Sequence, residues 1–152
     1  MPQASYRDRE FFLIYIAVLL AGLAAEEVCL GHRGDGAGLG NTSDLAMATR
    51  VATMIEAVLG MGITLRHSAA YDDGALEGIR IADPRLCSRI EVILAEQFAR
   101  AKALIVQFRP LVDRLVEVLD EVGELTPEAV AKAVRSTVLT PLLRPPKQSS
   151  AK

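Results

Sequence analysis

Aromatic residues and cysteine are scarce in this chain of 152 residues, and their scarcity excludes several classes of protein. Aromatics make up 5% of the sequence and tryptophan is absent, whereas 51% of the residues are hydrophobic. Cys29 and Cys87 are the only cysteines and have no CxxC spacing, which excludes a disulfide scaffold and is typical of buried thiols in a cytosolic protein. The same composition excludes collagen-like and disordered chains.

Histidine is equally scarce, which excludes a complete HExxH zinc site within this sequence. That motif needs two histidines one helical turn apart with a glutamate between them. His32 and His67 are the only histidines and stand far apart. Each is predicted to be an ordinary surface or loop residue.

Positive charge is also limited. The chain has 17 Lys and Arg against 19 Asp and Glu, for a net charge of -2. Three of these bases and no acid lie in the last twelve residues, so residues 1–140 carry a net charge of -5. We expect no nucleic-acid partner, because such a partner requires a basic surface.

One uncharged run, Phe11–Ala25, has some features of a signal peptide but is interpreted as a buried core helix. Its fifteen residues fall short of the roughly 20 that a bilayer crossing needs. The flank Arg7–Glu10 sums to zero charge rather than being positive. The helical pattern also continues into Glu26, so we expect no membrane segment in this chain and a cytoplasmic location.

Helical periodicity predicts an all-α fold, a bundle of about four helices that includes a long Pro-kinked one. Ser5 and Asp8 resemble a capping box for the first helix, whose centre is apolar all round. The first predicted helix runs from about Tyr6 to Leu30, where Gly31 ends it. The second runs from Asp44, after the candidate caps Asn41, Thr42 and Ser43, to about Leu59, and its apolar stripe is Leu45, Ala48, Ala52, Ile55 and Leu59. The third is capped by Asp83 and runs from Pro84 through a kink or break at Pro110 to Val122. Thr126 caps the last helix, which ends at about Leu139. Residues 1–140 are predicted to form one domain, followed by a disordered tail over 141–152.

The connections between these helices differ in character. Residues 31–40 read GHRGDGAGLG and are predicted to form a mobile loop, since fixing so many glycines in a helix is costly. No Gly-Lys-Ser/Thr follows, which argues against a phosphate site, and Arg33-Gly34-Asp35 is interpreted as a chance match to an adhesion tripeptide. Residues 61–82 are predicted to be irregular, with at most a short extended piece at Gly78–Ile81.

Three carboxylates leave alternatives open. Glu26 and Glu27 lie at the end of the most apolar helix, where the helix dipole disfavours negative charge, although a solvated helix end would explain them. Asp44 lies at the start of the next helix, where an acid is favoured. From composition and spacing alone, Asp44 is interpreted as a capping or first-turn acid.

The sequence around these carboxylates resembles the peptidase domain of FtsH-like ATP-dependent zinc metalloproteases. Ala24-Ala25-Glu26-Glu27-Val28-x-x-Gly31 is similar to a GGRxAEExxxG run, and Asn41-x-x-Asp44-Leu45-x-x-Ala48-Thr49 resembles a TGAxNDL loop with its following helix. Gly60-Met61, Arg109-Pro110 and Leu125-Thr126 extend the likeness over roughly residues 5 to 140. Two departures are that Asn41 and Asp44 are not adjacent and that Gly22-Leu23 replaces Gly-Arg.

The resemblance implies a mostly helical metallopeptidase domain whose zinc is held by two histidines of an HExxH helix and by an aspartate. Asp44 stands at the position of that third ligand. Glu26 matches the first Glu of the AEE element, which implies a carboxylate near the metal that orients its ligands. In that chemistry the zinc polarises the scissile carbonyl and activates water.

The sequence contains neither the HExxH motif nor an ATPase P-loop. The resulting hypothesis is the C-terminal part of an ATP-dependent metallopeptidase domain that acts on protein substrates but is inactive alone, with no catalytic residue in this chain. Zinc is expected in the complete family domain and not in this chain alone. The alternative is a non-catalytic helical module that binds a partner protein or forms a homo-oligomer. The metallopeptidase hypothesis also predicts that Asp44 and Glu26 lie close together, within about 12 Å, slightly beyond the ~10 Å Debye length.

Overall fold

The computed structural model describes residues 7–35 and 38–139, and the regular structure in these ranges is helical. The all-α class is confirmed. The predicted count of about four helices is too low, because two predicted helices are each divided and a further helix lies in the stretch predicted to be irregular. The described ranges contain seven helices: α1 (Arg9–Leu19), α2 (Ala21–Leu30), α3 (Asp44–Ala57), α4 (Asp73–Ala82), α5 (Pro84–Gln107), α6 (Arg109–Val122) and α7 (Pro127–Leu139).

The N-terminal apolar run forms two helices instead of the single predicted one. α1 and α2 meet at Leu20 with a bend of 45°. Asp8 caps α1, since its carboxylate accepts a hydrogen bond from the backbone N–H of Phe11 at 2.9 Å. Ser5, the other half of the predicted capping box, lies outside the described residues. Gly31 ends α2 in the left-handed conformation, as predicted.

Only one face of α1 is buried, so the predicted burial of this apolar helix is confirmed for that face and wrong for the other. Leu13 and Ile16 lie in the core, together with Leu20 after the helix. The large residues on the other face are each between 40% and 63% exposed: Phe11, Ile14, Tyr15 and Val18. In the described residues no single helix meets the length and hydropathy of a membrane span, although α1 and α2 taken together do.

The described residues form two compact units that divide between Ile105 and Val106. The core of the first unit contains Ile16 of α1, Ile55 of α3, Leu76 of α4 and Leu86 of α5, all fully buried. Burial of such a side chain contributes about 1.5–3 kcal/mol. The predicted stripe on α3 is confirmed at Ala48, Ala52 and Ile55, whereas Leu45 is exposed and Leu59 follows the helix and is half-buried. The predicted single domain over residues 1–140 stays a prediction, and residues 141–152 lie outside the described residues.

α4 forms within the stretch that was predicted to be irregular. Asp72 caps it by accepting from the N–H of Ala75 at 2.8 Å. Leu76 anchors it in the core, so Gly78–Ile81 is helical rather than extended.

The predicted start of α5 is confirmed. Asp83 accepts from the N–H of Leu86 at 3.1 Å, and Pro84 is the first helical residue. An ion pair with Arg66 and the bond from Leu86 hold the pKa of Asp83 below its usual value. The cap of α5 is therefore charged at neutral pH.

Pro110 divides the long predicted helix rather than kinking it. Phe108 leaves the helical conformation, and Pro110 takes the second position of α6, where its missing N–H removes no helical hydrogen bond. In the second unit α6 packs against α7, and Gly123 reverses the chain between them at φ 77°. The hydroxyl of Thr126 accepts from the N–H of Ala129 at 3.2 Å at the start of α7, which confirms the predicted cap.

Candidate functional site at the glycine-rich connection

Glu26 lies near the end of α2 and binds the backbone of the glycine-rich connection. The N–H of Gly34 donates to Oε2 of Glu26 at 2.6 Å. A Cβ on Gly34 would lie 3.3 Å from the same oxygen, so glycine allows this close approach. Glu26 therefore has a specific partner, which distinguishes it from the solvated helix end that the sequence left open.

Glu27 joins the same connection to α5. Its Oε1 accepts from Nζ of Lys102 at 2.8 Å, and its Oε2 accepts from Nε of Arg33 at 2.5 Å. These two bonds, with Lys102 the stronger influence, hold the pKa of Glu27 below its usual value. Arg33 and Lys102 also lie 4.8 and 5.0 Å from the centre of the Phe98 ring. Glu27, Arg33, Phe98 and Lys102 are called the Glu27 cluster below.

Asp44 is the first residue of α3 but does not cap it. The cap is Ser43, whose hydroxyl accepts from the N–H of Ala46 at 3.3 Å. The Asp44 side chain is exposed and has no hydrogen bond or ion pair within the described part of the chain. Its charge is favoured at the positive end of the helix dipole. Of the two interpretations from sequence, the structure supports the first-turn acid and assigns the cap to Ser43.

The remaining residue types that bind zinc are dispersed. In residues 7–35 and 38–139 no three His, Cys, Asp or Glu side chains converge on one point. Nδ1 of His67 lies 3.1 Å from the carbonyl oxygen of Val58, and the thiol of Cys87 donates to the carbonyl of Arg80 at 3.1 Å. Both cysteines are half-buried rather than fully buried. The described donors therefore do not form the three protein ligands of a catalytic zinc.

A polar groove of about 310 Å³ lies between the first turns of α3 and one face of α4. An ion pair between Arg50 and Asp73 joins the two helices. Nη1 of Arg80 donates to the buried hydroxyl of Thr53 at 3.1 Å. Asp44 does not line the groove, whose lining residues are Gly38, Asn41, Ser43, Leu45, Ala46, Thr49, Arg50, Asp73, Glu77 and Arg80.

The Gly60-Met61 element follows α3 as a turn that packs on a buried ion pair. Gly60 has φ 64°, a conformation that favours glycine. A Cβ on Gly62 would lie 2.7 Å from Oε2 of Glu56. Glu56 is 1% exposed and accepts from Nε of Arg89 at 2.9 Å. Sequence reasoning missed this pair, although an acid one turn after Ala52 in an apolar stripe was an available signal.

Comparison with curated proteins finds a similarity that covers most of this chain. No protein-family model matches the chain. The chain is 33% identical over 146 residues to a curated protein, ATP-dependent zinc metalloprotease FtsH 2 from Sorangium cellulosum (strain So ce56). The match covers 85% of this chain and 23% of that protein, so the chain spans less than a quarter of its relative's length. The comparison supports an FtsH-like relationship without locating the chain within a peptidase domain.

Proposed function

We propose that this chain is the C-terminal helical portion of an FtsH-like zinc metallopeptidase domain, in which Asp44 is the carboxylate ligand. The observation that carries the proposal is the division of roles at the start of α3. Ser43 caps the helix, and Asp44 stays exposed without a partner among the described residues. A carboxylate that neither caps its helix nor pairs with a cation is available to a metal.

The other parts of the site have to come from outside these 152 residues. The sequence contains no HExxH, and the described residues do not complete a zinc ligand set. The chain alone is therefore proposed to be inactive. Hydrolysis of protein substrates and dependence on ATP belong to a complete protein of the kind that the Sorangium cellulosum relative's name describes. A cytoplasmic location is part of the proposal and is supported by the two free cysteines.

Glu26 is proposed to lie near the metal and to orient its surroundings. Its bond to the N–H of Gly34 fixes the backbone at the start of the connection that leads to Asp44. That the side chains of Asp44 and Glu26 lie within about 12 Å of each other stays a prediction. Exposed charges farther apart than the ~10 Å Debye length interact little. Replacement of Glu26 by glutamine tests the prediction, as described in the Discussion.

The isolated chain is expected to bind no zinc tightly and to leave casein intact. A lone carboxylate cannot replace the nitrogen and oxygen ligands of a catalytic zinc. Isothermal titration calorimetry with Zn²⁺ measures zinc binding. Incubation of the chain with casein measures hydrolysis. Tight one-to-one binding that disappears in an Asp44→Ala variant would disprove the proposal that the ligand set is incomplete.

A second candidate function, a non-catalytic module that binds a partner protein or a second copy, is favoured by α6. Three apolar side chains of this helix are between 41% and 62% exposed: Val116, Leu119 and Val122. Sedimentation of the wild-type chain and a Leu119→Asp variant tests for self-association. A dimer that the substitution dissociates, and that Asp44→Ala leaves intact, would favour this function.

A further inference from the structure

We infer that Lys102 and Phe98 of α5 are positioning residues, which hold the start of the glycine-rich connection through Glu27 and Arg33. The Glu27 cluster consists of this chain's own side chains. Its consequence for Asp44 rests on the proposed function, whereas the positioning itself does not.

Charge balance explains why the four side chains form one unit. Arg33 and Lys102 are cations that repel each other, and Glu27 offsets this repulsion by giving one carboxylate oxygen to each. The face of the Phe98 ring attracts both cations, at 4.8 and 5.0 Å from its centre. Removal of Lys102 therefore breaks the ion pair between α5 and Glu27. The carboxylate that binds Arg33 is then less restrained.

Two adjacent residues of the connection are bound to two adjacent carboxylates of α2. Arg33 binds Glu27 through its side chain, and Gly34 binds Glu26 through its backbone. Lys102 links Glu27 to α5, which the core holds firmly through Ile93 and Leu94. Lys102 thus ties the start of the connection to α5.

The effect is expected to be local, because partly exposed ion pairs contribute little to global stability. The N–H of Gly34 is hydrogen-bonded to Glu26, so its amide hydrogen exchange in the full chain measures local opening directly. In a Lys102→Met variant we expect exchange at this amide to rise about 2- to 5-fold, the size that a partly exposed ion pair supports. Phe98→Leu is expected to raise exchange at the same amide, and Lys102→Arg, which keeps the charge and the cation–π contact, is expected to restore slow exchange.

Arg100→Met is the matched control. Arg100 lies on the same helix and pairs with Glu10 of α1 at 2.8 Å, so its loss is expected to leave the exchange rate of the Gly34 amide unchanged. Unchanged exchange in Lys102→Met would overturn the inference, as would a rise spread equally over α1, α3 and α5, or failure of Lys102→Arg to restore protection. The experiment contains no zinc, so its failure is distinct from a failure of the role proposed for Asp44.

Discussion

Replacement of Arg89 by methionine is expected to lower the free energy of unfolding by about 3–5 kcal/mol, because it leaves a buried carboxylate without its partner. Glu56 is 1% exposed and accepts from Nε of Arg89 at 2.9 Å. The pair joins α3 to α5 across the core of the first unit. Urea unfolding followed by circular dichroism measures the effect.

Two further variants separate the ion pair from simple loss of an arginine. Arg85 lies exposed in the first turn of α5, so Arg85→Met is expected to change stability by less than about 0.5 kcal/mol. Nη2 of Arg89 is buried without a partner among the described residues, so the pair is imperfectly satisfied. The double variant E56M/R89M is therefore expected to recover most of the loss. Equal stability of Arg89→Met and Arg85→Met would contradict the role assigned to the pair.

Gly62→Ala is expected to destabilise the chain by about 1–3 kcal/mol, the usual cost of overpacking. The new Cβ would lie 2.7 Å from Oε2 and 2.8 Å from Cα of Glu56. The Cα belongs to the backbone of α3, so a rotation of the side chain cannot relieve the contact. Thermal unfolding of the variant beside wild type measures the loss.

Gly78→Ala is the matched control for this substitution. Gly78 lies inside α4, and a Cβ added to it would meet no neighbouring atom within 4 Å. Alanine is therefore expected to stabilise the helix by roughly 0.5–1 kcal/mol. If Gly62→Ala also stabilised the chain, the turn after α3 would not pack on Glu56 as described.

The sequence predicted the parts of the fold that depend on local chemistry. Ser43, Asp83 and Thr126 lie among the residues predicted to cap helices, and each accepts a backbone hydrogen bond there. Pro110 was identified as a place where the long helix kinks or breaks. These signals act within one or two helical turns, so they can be read without knowledge of the packing.

The sequence did not predict features that depend on contacts between distant elements. Leu20 carries no helix-breaking signal, and the bend between α1 and α2 was missed. α4 was missed because its two glycines, Gly74 and Gly78, argue against a helix, although Leu76 and Ile79 follow helical spacing and pack in or against the core. The Glu27 cluster was missed because Lys102 and Glu27 are far apart in sequence and meet only when α5 packs near α2.

The candidate site was predicted in part. Asp44 and Glu26 were identified from a family resemblance, and the structure adds the local reasons why each residue is placed as it is. Ser43 takes over the cap and leaves Asp44 exposed. Glu26 holds the backbone of Gly34, a role that composition and spacing did not indicate.

The central proposal is that Asp44 is a zinc ligand once an HExxH helix is supplied. A chimaera tests this proposal: this chain replaces the segment that it matches in the Sorangium cellulosum zinc metalloprotease. We expect Glu26→Gln in the chimaera to weaken zinc binding about 10- to 100-fold, the usual effect of losing a residue that orients metal ligands. Unchanged affinity would contradict the predicted closeness of Glu26 and Asp44.

The most direct measurement is the zinc content of this purified chimaera beside its Asp44→Ala variant, with Asp35→Ala as the control. Asp35 is an exposed acid of the same connection, and its loss is expected to leave zinc content and casein hydrolysis unchanged. Asp44→Ala is expected to lose the bound zinc and the hydrolysis while keeping its helical circular dichroism spectrum. A folded Asp44→Ala chimaera that retains one zinc per chain and hydrolyses casein would show that Asp44 is not the ligand.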